Sequence, residues 1–209
     1  MTPETVSLET IDGVRLEADI VWAQAPSPAA FVVIGHPHPL HGGDRHSHVV
    51  RAIQEAAFAH GCHSVAPDFR GAGGSMGVHD GGDAERLDLA AACRMIDLVE
   101  DAVPVIMAGY SFGSVVAMNV TTPDISGWLA VAPPILHGGG SVLSAADHRP
   151  KHIVMPAHDQ FTPVESLLPA VEGWTNTTVS IVPSVDHFFA AGAGAVCAAG
   201  LAEILSRIS

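Results

Sequence analysis

Apolar and polar residues alternate from Thr5 to Ile11 and again from Val14 to Trp22, on either side of Asp12-Gly13. Alternation with period two marks strands that keep one face wet, and Asp-Gly favours the positive-φ backbone of a tight turn, so an antiparallel pair is predicted at one edge of a sheet. Beyond the proline-containing linker Ala25 to Pro28 the pattern changes to short apolar runs at Phe31 to Ile34, Ser64 to Pro67, Pro104 to Ala108, Gly127 to Ala132, His152 to Met155 and Thr178 to Val182. Such runs suit strands covered by helices on both faces. Helical patterns separate them. His48 to His60, Phe112 to Thr121 and Pro163 to Val171 are three; Asp83 to Glu100 sets Leu87, Ala91, Met95 and Leu98 on one face, and Ala190 to Ile208 does the same with Leu201, Ile204, Leu205 and Ile208. The prediction is an α/β fold: a mostly parallel central sheet of about seven to eight strands, an antiparallel edge hairpin, and helices on both faces. No repeat or long internal linker divides residues 1–209, so a single domain is expected. In such sheets ligands bind beyond the carboxyl ends of the strands, which here means the loops at 35–46, 68–82, 109–112, 133–150, 156–162 and 183–189.

Composition narrows the range of functions. Nine Lys plus Arg against 22 Asp plus Glu give a formal charge of −13, which opposes the approach of phosphate backbones and excludes a nucleic-acid role. Cys62, Cys93 and Cys197 are scattered and odd in number, the usage of reduced core thiols. The segment Met1 to Ile11 carries Glu4 and Glu9 and has no apolar block of the kind a secretory signal needs. Phe188 to Ala202, the longest uncharged apolar stretch, is too short for a bilayer and is broken by Gly192, Gly194 and Gly200. A cytoplasmic protein with no membrane partner is therefore expected, as a monomer or homodimer.

The chemistry concentrates at Val105 to Gly113, where a buried run passes through Gly109-Tyr110-Ser111-Phe112-Gly113 into a helix. G-x-S-x-G in that setting is a nucleophile elbow: the serine sits on a strained turn, and side chains two positions before and after it would strike neighbouring backbone. A serine hydroxyl needs a base to take its proton and an acid to orient that base. Asp159 follows the run His152 to Met155 and precedes a helix opening at Pro163; His187 follows the last strand and precedes the last helix. Ser111, Asp159 and His187 thus occur in the order Ser, Asp, His. Asp186 is a rival acid, but its adjacency to His187 makes a bond to the far ring nitrogen awkward. The oxyanion hole is assigned to the backbone N–H of Phe112 and of His38, since Pro37 and Pro39 have none to give.

Gly35 to Gly43, Asp68 to Ser75, Gly109 to Gly113, Asp159 to Pro163 and Asp186 to Phe189 together resemble the α/β-hydrolase superfamily. H-P-H-P-L-x-G-G with D-F-R-G-x-G-x-S is similar, more narrowly, to small uncapped bacterial serine hydrolases related to dienelactone hydrolases and to acylaminoacyl- and dipeptidyl-peptidase catalytic domains. The resemblance spans nearly the whole chain and implies an α/β-hydrolase fold without a cap domain, with Ser111 as nucleophile, Asp159 as acid and His187 as base. Two departures from it are Pro156, where many relatives carry glycine, and His41, in a slot often held by tyrosine.

Only about 19 residues separate Ala132 from His152, too few for a lid, and Pro133 to Gly140 is expected to form a rim. Leu40, His41, Ile135, Leu136, Phe161 and Phe188 are candidates for the substrate pocket. Asp68 and Arg70 are expected to form an ion pair bracing the oxyanion loop. His36, His38, His41, His46 and His48 cluster, but without H-E-x-x-H or a second ligand block they are assigned no metal, and no cofactor is implied. The resulting expectation is a serine hydrolase acting on a small carboxylic ester. Thioester, lactone or amide cleavage on the same residues, and a non-catalytic ligand-binding protein of the same fold, are the alternatives.

Overall fold

The computed structural model describes residues 1–98, 103–136 and 142–208. Strands β1 (Glu4–Glu9) and β2 (Arg15–Val21) form the predicted antiparallel pair, with Gly13 at φ 81° in the turn. β3 (Phe31–Gly35), β4 (His63–Pro67), β5 (Val105–Tyr110), β6 (Ile125–Val131), β7 (Lys151–His158) and β8 (Thr177–Asp186) complete an eight-stranded sheet in the order β1-β2-β4-β3-β5-β6-β7-β8. β2 meets β4 antiparallel, and from β4 to β8 every neighbouring pair is parallel.

Successive residues of a strand face opposite sides, and the core divides accordingly. Phe31, Val33, Met107 and Trp128 pack with Leu89 of α2 (Glu85–Cys93), Val116 and Met118 of α3 (Phe112–Met118) and Leu167 of α4 (Val164–Val171). Val32, Ile34, Ile106 and Leu129 pack on the other side with Val49 and Ile53 of α1 (His48–Ala59) and Leu201 and Ile204 of α5 (Ala193–Ile208).

The segment after Asp83 departs from the predicted helix. It is α-helical over Glu85–Cys93 and tightens to a 3₁₀ turn at Arg94–Leu98, while the rest of the predicted run, 99–100, lies outside the described residues. Its buried residues are Glu85, Asp88, Leu89, Ala91, Ala92 and Cys93, so Ala91 of the predicted face is buried, whereas Leu98 is 63% exposed. Two buried acids stand where an apolar-only pattern looks for hydrophobic residues; the expected face holds at buried Ala91 and at Met95, which packs on the core, and fails at Leu98. At the far edge, β8 contains Pro183 and Ser184, the latter at φ 60°, beside a register shift in β7 between Pro156 and His158.

Candidate active site

β5 delivers Ser111 to the carboxyl end of the sheet, where the chain reverses into α3. Its backbone is at φ 53° and ψ −125°, a conformation costing a non-glycine residue roughly 1–3 kcal/mol. Two things hold it there. Ser111 N–H donates to the Val131 carbonyl of β6 at 2.9 Å. The glycines let three backbones meet: a Cβ on Gly109 would lie 2.6 Å from Ser114 N, one on Gly35 2.7 Å from Gly113 O, and one on Gly113 would enter the backbone of Gly35 and His36.

Ser111 Oγ lies 2.9 Å from His187 Nε2, and His187 Nδ1 lies 2.7 Å from Asp159 Oδ2. His187 and Asp159 are buried. Asp159 Oδ1 accepts from the N–H groups of Phe161 and Thr162, both at 2.8 Å, so the carboxylate is fixed on both oxygens. Pro156 stays within β7 opposite Val182, and the register shift between Pro156 and His158 falls on the path into Asp159. Asp186 instead caps the Phe188 N–H at 3.1 Å. Tyr110, adjacent to Ser111, donates its hydroxyl to the His187 carbonyl at 2.9 Å; burial pushes its phenol up, which keeps that donor protonated.

The loop after β3 is equally constrained. Buried His36 accepts from Phe69 N–H through Nε2 at 2.8 Å, which leaves Nδ1–H to donate to the Pro37 carbonyl at 2.6 Å. Burial lowers its pKa to about 4, so the ring stays neutral. The His38 carbonyl accepts from His41 N–H and Gly43 N–H at 3.0 and 3.1 Å, closing the turn. The His38 ring stacks on His41 at 4.6 Å and meets His79 at 4.7 Å and Phe112 at 4.9 Å. Burial, then the neighbouring His79 and His41, lower its pKa. As the first residue of α3, Phe112 has no intrahelical acceptor for its N–H.

A model of the alpha/beta hydrolase family matches residues 40–206. The chain belongs to the alpha/beta hydrolase family. An alpha-beta serine hydrolase homologue from Coxiella burnetii superposes with a TM-score of 0.83 at 28% identity, covering 99% of this hydrolase and 97% of the other chain. A serine hydrolase without a lid from Xanthomonas campestris gives 0.84 at 21%, covering 97% and 95%. Est1E of Butyrivibrio proteoclasticus, solved with ferulic acid bound, gives 0.82 at 17%, covering 96% and 98%; at these last two identities the likeness is one of fold. An uncharacterized protein of Rickettsia prowazekii is 29% identical over 180 residues, 80% of this chain and 76% of its own. Membership of the family and these relatives support hydrolase activity.

In this hydrolase Ser111 and His187 open into a cleft of about 830 Å³. Of the pocket residues predicted, His41, Ile135, Phe161 and Phe188 line it. Leu40 and Leu136, 73% and 48% exposed, are not among its lining residues, so that part of the prediction is corrected. Loop composition does not tell which of two adjacent residues faces inward. The part of the predicted rim at 137–140 lies outside the described residues. Sequence reasoning missed the wall built from Gly82, Asp83 and Arg86, and the face of α3 carrying Val115 and Asn119; their helical spacing from Phe112 was the available signal.

The expected Asp68–Arg70 pair does not form. Asp68 pairs with buried Arg45, which also reaches Glu17 and Asp19, while Arg70 forks onto Asp88 at 2.8 Å and Asp12 at 2.8 Å. Both residues lie beyond the end of β4, and each side chain is taken by partners distant in sequence. Among the described residues no group of three His, Cys, Asp or Glu side chains is arranged to hold a metal, and no helix is long and apolar enough to cross a membrane.

Proposed function

We propose that this protein is a serine hydrolase that cleaves small carboxylic esters through an acyl-enzyme. The observation that carries the reading is the unbroken chain of contacts from Ser111 Oγ through His187 to Asp159, at 2.9 and 2.7 Å, on a strained strand-to-helix turn. With Nδ1–H donating to Asp159, His187 Nε2 accepts the Ser111 proton as Oγ attacks the carbonyl carbon. The oxyanion that forms is stabilised by the N–H groups of Phe112 and His38. His187 then gives its proton to the departing alkoxide. Water, deprotonated by the same nitrogen, attacks the acyl–Ser111 ester and releases the acid, restoring the serine. Ester cleavage is favoured over amide cleavage because an alcohol needs less assistance to leave than an amine.

The same reading makes the partner a small acyl compound and the protein a cytoplasmic monomer or homodimer, with three buried, unpaired cysteines as its support. The test is labelling with a fluorophosphonate and peptide mass spectrometry, alongside hydrolysis of p-nitrophenyl acetate. Label on Ser111 that tracks loss of turnover is the expected result, and Ser111→Ala should lose both while melting as the wild type does. Full turnover in Ser111→Ala would remove the mechanism. Folded protein that takes no label and cleaves no ester would favour a ligand-binding role.

A further inference from the structure

The proton delivered to the leaving group comes from His187 Nε2, so the leaving group must lie on the His187 side of Ser111, where Phe161 and Phe188 pack on the imidazole at ring separations of 4.5 and 5.6 Å. The acyl group is then directed the other way, along α3. Phe112, Val115 and Asn119 lie at i, i+3 and i+7 and line the cleft together. Facing them is Gly82, at φ +122°, whose added Cβ would come within 3.7 Å of Phe112 Cε2 and 4.0 Å of Val116 Cγ2. That backbone conformation excludes other residues, so at Gly82 the wall stays close to α3 and carries no side chain into the gap.

The polar groups along this groove are already engaged. Asn119 Nδ2 donates to the Val115 carbonyl at 2.9 Å, and its Oδ1 accepts from Leu143 N–H at 2.8 Å, joining the end of α3 to the segment across the cleft. Arg86 donates to Asp83 Oδ1 at 3.1 Å and to its carbonyl at 3.2 Å, so the cation nearest the groove has its counter-charge in place. A lining of Phe112, Val115, Ile135, Val142 and Leu143 with paired polar groups at its margin asks for an uncharged, apolar chain.

Resting on the serine-hydrolase reading, we propose that the groove along α3 between Gly82 and Leu143 is an acyl-chain site that selects straight saturated acyl groups of medium length. Seven residues from Phe112 to Asn119 at a 1.5 Å rise span about 10 Å. An extended chain advancing roughly 1.3 Å per carbon fills that with about six to eight carbons. Hexanoyl and octanoyl esters are the preferred class.

The test is kcat/KM for p-nitrophenyl esters from acetate to dodecanoate at a fixed leaving group, on the full chain. Each methylene the groove covers should raise kcat/KM by up to about fourfold, the equivalent of ~0.8 kcal/mol. The expected profile climbs about thirtyfold or more from acetate to octanoate and falls at dodecanoate. Val115→Phe and Val115→Trp should shift the optimum to successively shorter chains and cut the octanoate-to-acetate ratio at least about tenfold. Phe188→Ala should leave that ratio unchanged and alter selectivity across a series of alkyl acetates instead. A flat profile, an optimum at acetate, or an equal loss on all esters in a folded Val115→Trp would overturn the acyl-site assignment while leaving the nucleophile intact. Absence of both ester cleavage and Ser111 labelling would instead remove the serine-hydrolase reading on which it rests.

Discussion

Replacement of Asp159 by Asn tests the geometry at its most constrained point. Oδ1 of Asp159 accepts from two backbone N–H groups, at 2.8 Å each, so the oxygen of an introduced carboxamide must occupy that position. Its NH₂ is then forced toward His187 Nδ1, 2.7 Å away in the wild type. An NH₂ can only donate, so Nδ1 becomes the acceptor and the ring proton moves to Nε2, facing Ser111 Oγ. A nitrogen that already carries hydrogen cannot take the serine proton. Loss of the charge-assisted bond to the imidazolium alone is worth roughly 1.5–3 kcal/mol, or about 10–150-fold. With the wrong tautomer added, the expected fall in kcat is about 10⁴-fold, near 5.5 kcal/mol of activation free energy, the size found when this replacement is made in a Ser-His-Asp site. Stability should change little, because both backbone bonds survive; a shift in Tm of under about 4 °C corresponds to roughly 1 kcal/mol at this chain length. The assay is steady-state hydrolysis of p-nitrophenyl esters, with thermal melts as control. Retention of more than a tenth of wild-type kcat, or a larger loss in Asp186→Asn, would refute the assignment of the acid.

Three further outcomes follow from particular contacts. Gly113→Ala drives a Cβ into the Gly35 and His36 backbones, which cannot yield as a side chain would; a loss of at least about 3 kcal/mol is expected in denaturant melts, and a variant within 1 kcal/mol of wild type would contradict the packing. Arg45→Ala strands the carboxylates of Asp68, Asp19 and Glu17, two of them buried, and should cost about 3–5 kcal/mol by the same measurement; Arg45→Lys should recover only part. His36, lowered to about 4 against an ordinary 6.5, binds fewer protons folded than unfolded between those values. Its contribution is therefore complete above pH 6.5 and lost as pH falls toward 4, on the order of 3 kcal/mol in all. NMR titration of the ring should show a midpoint near 4, and a midpoint near 6.5 would refute its buried neutral state.

Ser111, Asp159 and His187 were legible in the sequence because each sits at a strand end, and strand ends are marked by local apolar runs and by the glycine, proline or acid that follows. The sheet was legible for the same reason: period-two and unbroken runs separate half-buried from fully buried strands without any long-range information. Arg45 and Asp88 were not. They are buried charges whose partners lie 23 residues away for Arg45–Asp68 and 18 for Arg70–Asp88, and nothing in local pattern distinguishes them from a solvated face. Leu40 and Leu136 failed in the opposite sense, as large apolar residues in the right loops that stay exposed and do not line the cleft. Tyr110 was visible as the variable residue of G-Y-S-F-G, yet its hydroxyl bond to the His187 carbonyl depends on a loop 77 residues later in the chain.

The two ends of the sheet differ in what they offer a passing chain. β8 is ten residues long and mostly unshielded, with Ile181 among its exposed side chains, and a flat strand of that kind would be a template for aggregation through added strands. Pro183 withholds an amide hydrogen, Ser184 turns the backbone through a left-handed kink, and the register slip against β7 twists the same stretch. The bend that carries the chain from β8 toward His187 therefore also roughens the border, so that ribbon-like growth from this edge is interrupted where it would otherwise begin.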